Sequence, residues 1–276
     1  MAEKISFPVA APAGDRTVEV AYERLGDGEP LVLLHGIGHH LQVWDPVMGI
    51  LAAERDVIAV DLPGFGRSAA VPEGIPHDLR GVTRMLRALF EALGLERPHV
   101  AGNSLGGLIA LRLGQEKLVR SVTALSPGGF WTPAERHYAF AVLRGLRLGA
   151  LRLPEPAVAR LARTGVGRAA LTSAIYARPG RRSPDAVLAE TRALREATAF
   201  DAVLEAGRSF VFTGDVPGMP VTIAWGTADR VLLRRQGVRA KRIIPGARLV
   251  RLPGCGHVPM SDDPALVARV VLDGSR

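Results

Sequence analysis

The sequence predicts an α/β fold: a doubly wound, mostly parallel central sheet with an inserted helical cap. Short apolar runs bounded by Gly and Pro alternate with longer amphipathic stretches, as expected for strands buried on both faces and joined by helices. A Gly-x-Ser-x-Gly turn, Gly102 to Gly106, stands between one such run and a following helical stretch. The rhythm stops after Ser126 and resumes near Val221, which marks the insertion.

The elements follow in order. Thr17 to Leu25 alternates and ends at the turn-forming Gly26, Asp27 and Gly28, which predicts an antiparallel strand at the start of the sheet. Leu31 to Leu34 and Val57 to Val60 read as strands, with helices over Val43 to Ala53 and Leu79 to Leu93. The strand His99 to Gly102 leads into a helix from Leu105 to about Lys117, and Ser121 to Leu125 forms the next strand. Between Phe130 and Val216 prolines punctuate helical segments and no strand pattern occurs. The division is therefore a core of residues 1–129 and 217–276 with a cap of 130–216. Val221 to Trp225, a helix near Leu232 to Ile243, Arg248 to Leu252 and a closing helix from Pro264 complete the core.

With 276 residues and 47% hydrophobic content the chain can bury one large core. Cys255 is the only cysteine, so neither an intrachain disulfide nor a Cys-rich metal site can form. Met1 to Gly14 shows no targeting pattern and no window is apolar enough to span a membrane, so a cytoplasmic location is the expectation. The formal net charge is +8, with lysine only at positions 4, 117 and 241. The arginines are scattered and no nucleic-acid motif accompanies them, which argues against specific nucleic-acid binding. From Trp131 to Val216 there are 13 arginines against 8 acidic residues. A solvated cationic face is the expectation there, with peripheral docking on anionic lipid as the alternative.

A sharp strand-to-helix turn raises Ser104 above the sheet and aims the helix N-terminus at the same place, so Ser104 is the candidate nucleophile. A serine hydroxyl needs a base to take its proton and an acid to orient that base. Asp229, just past a strand end, and His257, in a Gly-rich loop after the last strand, follow in that chain order. The oxyanion of a tetrahedral intermediate needs two amide donors, assigned to Leu105 and Ile37, with Gly36 as the alternative to Ile37. His35 is expected to be structural, and His39 and His40 to be solvated loop residues with substrate contact as the alternative. His77, His99 and His137 have no evident partner. Cys255 is expected to serve loop packing.

Taken together, Leu31-Val32-Leu33-Leu34-His35-Gly36, Trp44, Asp61-Leu62-Pro63-Gly64-Phe65-Gly66-Arg67-Ser68, Gly102-Asn103-Ser104-Leu105-Gly106-Gly107, Trp225-Gly226 to Asp229, and Gly254-Cys255-Gly256-His257 resemble the α/β-hydrolase superfamily. The resemblance covers nearly the whole chain except the cap. It implies a Ser104, Asp229, His257 triad beneath a cap, with no metal or organic cofactor. Members that act as haloalkane dehalogenases or epoxide hydrolases carry Asp at the position of Ser104, so acyl transfer to water is favoured. The expected partner is a small, apolar acyl substrate cleaved as a carboxylesterase or lipase would. Thioester cleavage, carbon-carbon bond hydrolysis of diketones, cofactor-free perhydrolysis, and a ligand receptor or signalling protein of the same fold with little turnover stay open.

Overall fold

The structure is a computed structural model that describes residues 2–12 and 14–276; Met1 and Ala13, both in the stretch read for a targeting pattern and in the expected core, lie outside the described residues. The sheet comprises β1 (Glu3–Val9), β2 (Arg16–Leu25), β3 (Pro30–Leu34), β4 (Asp56–Val60), β5 (His99–Asn103), β6 (Ser121–Leu125), β7 (Val221–Gly226) and β8 (Arg248–Leu252). Their spatial order is β1-β2-β4-β3-β5-β6-β7-β8. β1 pairs antiparallel with β2 and β2 antiparallel with β4, and every later pairing is parallel.

Pleat alternation divides the core between two faces of this sheet. Val32, Leu34, Val100 and Ile223 pack on one side, with Met85 and Leu89 of α2 (Leu79–Ala92) and Ile109 and Leu113 of α3 (Leu105–Gln115). Leu31, Leu33, Ala101 and Ala224 face the other side, against Val47 and Leu51 of α1 (Asp45–Leu51) and Val267 and Val271 of α10 (Pro264–Gly274). The Leu31 to Leu34 run is thus apolar throughout because both faces are covered.

The sequence reading assigns no strand to residues 3–9, yet Ile5, Phe7 and Val9 alternate and pack toward the core. Pro8 is compatible because β1 is an edge strand. The helix expected over Val43 to Ala53 is a short 3₁₀ turn, Leu41–Trp44, followed by α1, whose start is set by Pro46 in its first turn. The helix expected from Leu232 begins instead at Arg235, as α9 (Arg235–Ile243), because the Asp229 carboxylate captures the Val231 and Leu232 amides in a turn.

Between β6 and β7 lie α4 (Pro133–Arg152), α5 (Glu155–Ala162), α6 (Gly165–Thr172), α7 (Pro184–Glu196) and α8 (Phe200–Ala206), with no strand among them. α4 opens with a reciprocal cap between Thr132 and Glu135. The C-terminal ends of α4 and α7 exchange arginines. Arg195 of α7 donates to Ala150 O at 2.8 Å and Leu153 O at 2.7 Å, while Arg147 of α4 donates to Leu194 O and Ala197 O. A guanidinium on the last carbonyls of a helix satisfies orphan acceptors and opposes the negative dipole end. Part of the cap's arginine content therefore joins its helices to one another.

Candidate functional site

Ser104 sits between β5 and α3 with φ 55° and ψ −111°, a conformation that side-chain-bearing residues rarely adopt. Its amide donates to Leu125 O at 2.9 Å, and its carbonyl accepts from Leu108 N at 3.0 Å and Gly128 N at 3.2 Å. The flanking glycines are required. A Cβ on Gly102 would stand 2.2 Å from Gly106 O, and one on Gly106 would stand 2.1 Å from Leu34 O.

His257 Nδ1 lies 2.9 Å from Asp229 Oδ2. The other carboxylate oxygen of Asp229 accepts the amides of Val231 at 2.9 Å and Leu232 at 2.8 Å, so the acid is fixed before it meets the imidazole. His257 is held through its backbone: its amide donates to Ile175 O at 2.8 Å and its carbonyl accepts from Asn103 Nδ2 at 2.9 Å. Ser104 and His257 line the same cavity, although no hydrogen bond joins their side chains. Catalytic hydrogen bonds often tighten only around a substrate.

The loop after β3 places Gly36 directly against Ser104, where a Cβ on the glycine would be 3.3 Å from the serine Cβ. The Ile37 amide, in the following turn, donates to no carbonyl among the described residues. Leu105 is the first residue of α3, where an amide has no intrahelical acceptor. Both residues line a cavity with Ser104. His35 supports this loop from below. It is fully buried, its Nε2 accepts from Leu62 N at 2.9 Å and its Nδ1 therefore carries the proton facing Gly36 O at 2.7 Å. Burial pushes its pKa down to about 4.

Two histidine expectations need correction. His39 is not solvated: it is buried and lines the cavity that holds Ser104 and His257, and neither ring nitrogen makes a hydrogen bond among the described residues. It was placed in solvent because the loop reads as polar and Gly-rich, whereas the cap closes over it. His99 does have partners, Ser121 Oγ at 2.7 Å and Glu29 Oε2 at 3.2 Å, both remote in sequence. His40, half-buried, bonds Gln42 Oε1 at 2.5 Å. Cys255 is buried and burial pushes its thiol up to about 12, consistent with packing alone.

Ser104 stands at the junction of two lobes. The first, about 140 Å³, is lined by apolar side chains including Phe65, Met85, Leu108, Trp131, Phe140 and Leu232, together with Leu105. The second, about 240 Å³, runs between His257 and the cap and includes His39, Leu146, Thr172, Ile175, Glu190 and Thr191. Among the described residues, no group of three or more His, Cys, Asp or Glu side chains could hold a metal ion. No helix among them is long and apolar enough to cross a membrane.

A sequence model of the alpha/beta hydrolase family matches residues 31–270. The chain belongs to the alpha/beta hydrolase family. This hydrolase is 32% identical over 268 residues to an uncharacterized protein of Mycobacterium tuberculosis, covering 91% of this chain and 76% of that one. Over 137 residues it is 32% identical to a 2-hydroxy-6-oxo-6-phenylhexa-2,4-dienoate hydrolase of Comamonas testosteroni, covering 47% of this chain and 46% of the other. A thermophilic esterase from Thermogutta terrifontis has the same fold, with a TM-score of 0.76 at 19% identity, covering 98% of this chain and 97% of that one.

Sequence reasoning missed Glu190 and Asp262. Glu190 shares an apolar face of α7 with Val187 and Leu194, and a lone Glu on such a stripe was the available signal. The Asp262 carboxylate accepts Gly256 N at 2.8 Å, Ala177 N at 3.0 Å and Arg178 N at 2.7 Å, tying the cap to the loop that carries His257. Nothing in its local sequence separates it from Asp263, which caps α10 through Leu266 N.

The clash at Gly106 predicts that Gly106→Ala lowers stability by about 3 kcal/mol or more, as backbone on both sides must move. Urea unfolding measures it, and a loss under ~1 kcal/mol contradicts the packing described. The buried, neutral His35 has a folded pKa below its unfolded value, so its contribution is intact above about pH 6.5 and is lost as pH falls toward about 4. The loss amounts to up to about 3 kcal/mol, from ~1.4 kcal/mol per unit. Unfolding midpoints of wild type and His35→Gln between about pH 7 and 4 should converge as the pH drops.

Proposed function

We propose that this hydrolase cleaves an ester-type substrate with an apolar acyl group through an acyl-enzyme on Ser104. The observation that carries the reading is the 2.9 Å pairing of Asp229 with His257 in a cavity shared with Ser104. With Nδ1 donating to Asp229, Nε2 of His257 is the nitrogen left to take the Ser104 proton as the serine oxygen attacks the carbonyl carbon. Asp229 stabilises the resulting imidazolium and holds the ring in place. The oxyanion of the tetrahedral intermediate accepts from the amides of Leu105 and Ile37. As the bond to the leaving oxygen breaks, His257 returns the proton to it. Water, deprotonated by the same base, then attacks the acyl carbon and releases the acid and free Ser104.

The first lobe suits the acyl group, being apolar and flanked by Leu105 at the oxyanion position. The second lobe suits the leaving group, because His257 lines it and does not line the first. A cavity of ~150 Å³ lined by aliphatic and aromatic side chains accommodates a benzene ring, so a compact acyl group is expected. Hydrolysis of a carbon-carbon bond in a diketone is the second reading, favoured by the likeness to the dienoate hydrolase.

A fluorophosphonate probe should label wild type and leave Ser104→Ala unlabelled, and in Asp229→Asn labelling should slow markedly together with a turnover reduced about 10⁴-fold. Among p-nitrophenyl esters, turnover should peak at acyl chains of roughly four to six carbons or at benzoyl, and fall for chains of roughly sixteen. A vinylogous diketone assayed in parallel decides the second reading. Labelling that survives Ser104→Ala, or no turnover of any of these substrates, counts against the assignment.

A further inference from the structure

The second lobe carries polar groups that the reaction does not use. Glu190 is 7% exposed, and its Oε1 takes both the Tyr176 hydroxyl at 2.8 Å and the Arg182 guanidinium. Its Oε2 has no hydrogen-bond partner among the described residues. His39, 9% exposed, has an unpartnered Nδ1 and lines the same lobe. Buried polar atoms without partners are uncommon, and each costs about 1–3 kcal/mol unless something meets it. With Asn103 Oδ1, three such atoms belong to residues lining one cavity beside Ser104, and they point to a ligand.

The rest of the wall decides which chemistry fits. The hydroxyls of Thr172 and Thr191 spend their protons on Arg168 O and Val187 O, each at 2.8 Å, and turn only lone pairs outward. The lobe therefore offers acceptors at Glu190, Thr172, Thr191 and Asn103 Oδ1, and apart from the Ser104 and His257 side chains only the His39 imidazole can donate. Burial holds the His39 pKa well below its ordinary value, so that imidazole is neutral. Arg182, itself anchored by Ser261 Oγ at 2.6 Å, already balances the Glu190 charge. A second cation would gain little there, and a carboxylate would face Glu190. The remaining wall is largely aliphatic, with Leu146, Leu171, Ile175 and Val187 among its residues, so a neutral group that carries an O–H donor on a short apolar body fits.

We propose that this lobe recognises a hydroxyl-bearing leaving group, such as the free hydroxyl of a diol or polyol ester, through Glu190 Oε2 and the His39 imidazole. The inference rests on the acyl-enzyme reading of Ser104 and names the leaving half of its substrate. Glu190 and His39 act here as specificity-determining residues and take no part in the proton transfers.

The test uses butyl, hydroxypropyl, carboxyethyl and trimethylammoniopropyl esters of one acyl group, compared by kcat/KM on the intact protein. The hydroxypropyl ester should exceed its butyl isostere by at least about tenfold, because the butyl ester leaves the buried acceptors unmet, and the carboxyethyl ester should rank lowest. Glu190→Gln and His39→Phe should each bring the hydroxypropyl-to-butyl ratio toward one. The wild-type ranking stands on its own if a variant fails to fold. A butyl ester equal to or better than the hydroxypropyl ester, or a trimethylammoniopropyl ester ranking first, overturns the proposal while leaving the acyl-enzyme reading in place. Absence of turnover for all four esters, with no fluorophosphonate labelling of Ser104, overturns both.

Discussion

The carbonyl oxygen of Leu34 occupies the place that a side chain on Gly106 would need, and the carbonyl of Gly106 closes the same space above Gly102. This approach of α3 to the sheet leaves Ser104 no route but a left-handed turn, a strain of about 1–3 kcal/mol that the surrounding packing sustains. Everything at the site is referred to that contact. It sets where the first amides of α3 point, how near Gly36 comes to the serine, and which carbonyls of β6 are left to hold the turn. His35 performs the same service one strand away, its Nδ1 on Gly36 O beside Ile37 and its Nε2 on the Leu62 amide after β4, so the two loops are tied together.

Most of this framework was legible because its physical causes are local. Strands covered on both faces must be apolar throughout, and the turns between them require Gly or Pro, so β3 to β7 could be read without their neighbours. The order of Ser104, Asp229 and His257 was legible for the related reason that strand ends present their loops on one side of a parallel sheet. β1 escaped notice because Pro8 speaks against a strand except at an edge, and which strand lies at the edge is a property of the assembled sheet.

The cap was the least readable part, and its arginines show why. Counted along the chain they amount to surplus positive charge, but Arg147 and Arg195 find carbonyls on each other's helices and Arg182 finds Glu190, Ser261 and the ring of Tyr176. Those partners lie up to 79 residues apart, so no window of sequence reveals them. His39 went astray for the same reason: the loop's own composition is polar, and what buries it comes from the cap.

Asp262 gives the cap an unexpected mechanical character. A single carboxylate grips the backbone of 177 and 178 from the cap and of 256 from the loop that bears His257, and Ile175 accepts the His257 amide on the other side. A cap hinged here cannot swing as a free door without pulling the imidazole out of register with Asp229. Of the cap helices, α4, α6 and α7 line the second lobe, and α6 runs straight into the segment that Asp262 holds, so the cap is an awning fixed along one edge. Anyone grafting a foreign cap onto this scaffold would need to carry residues 175–178 across with it, since that short segment belongs to the mounting of His257 as much as to the roof.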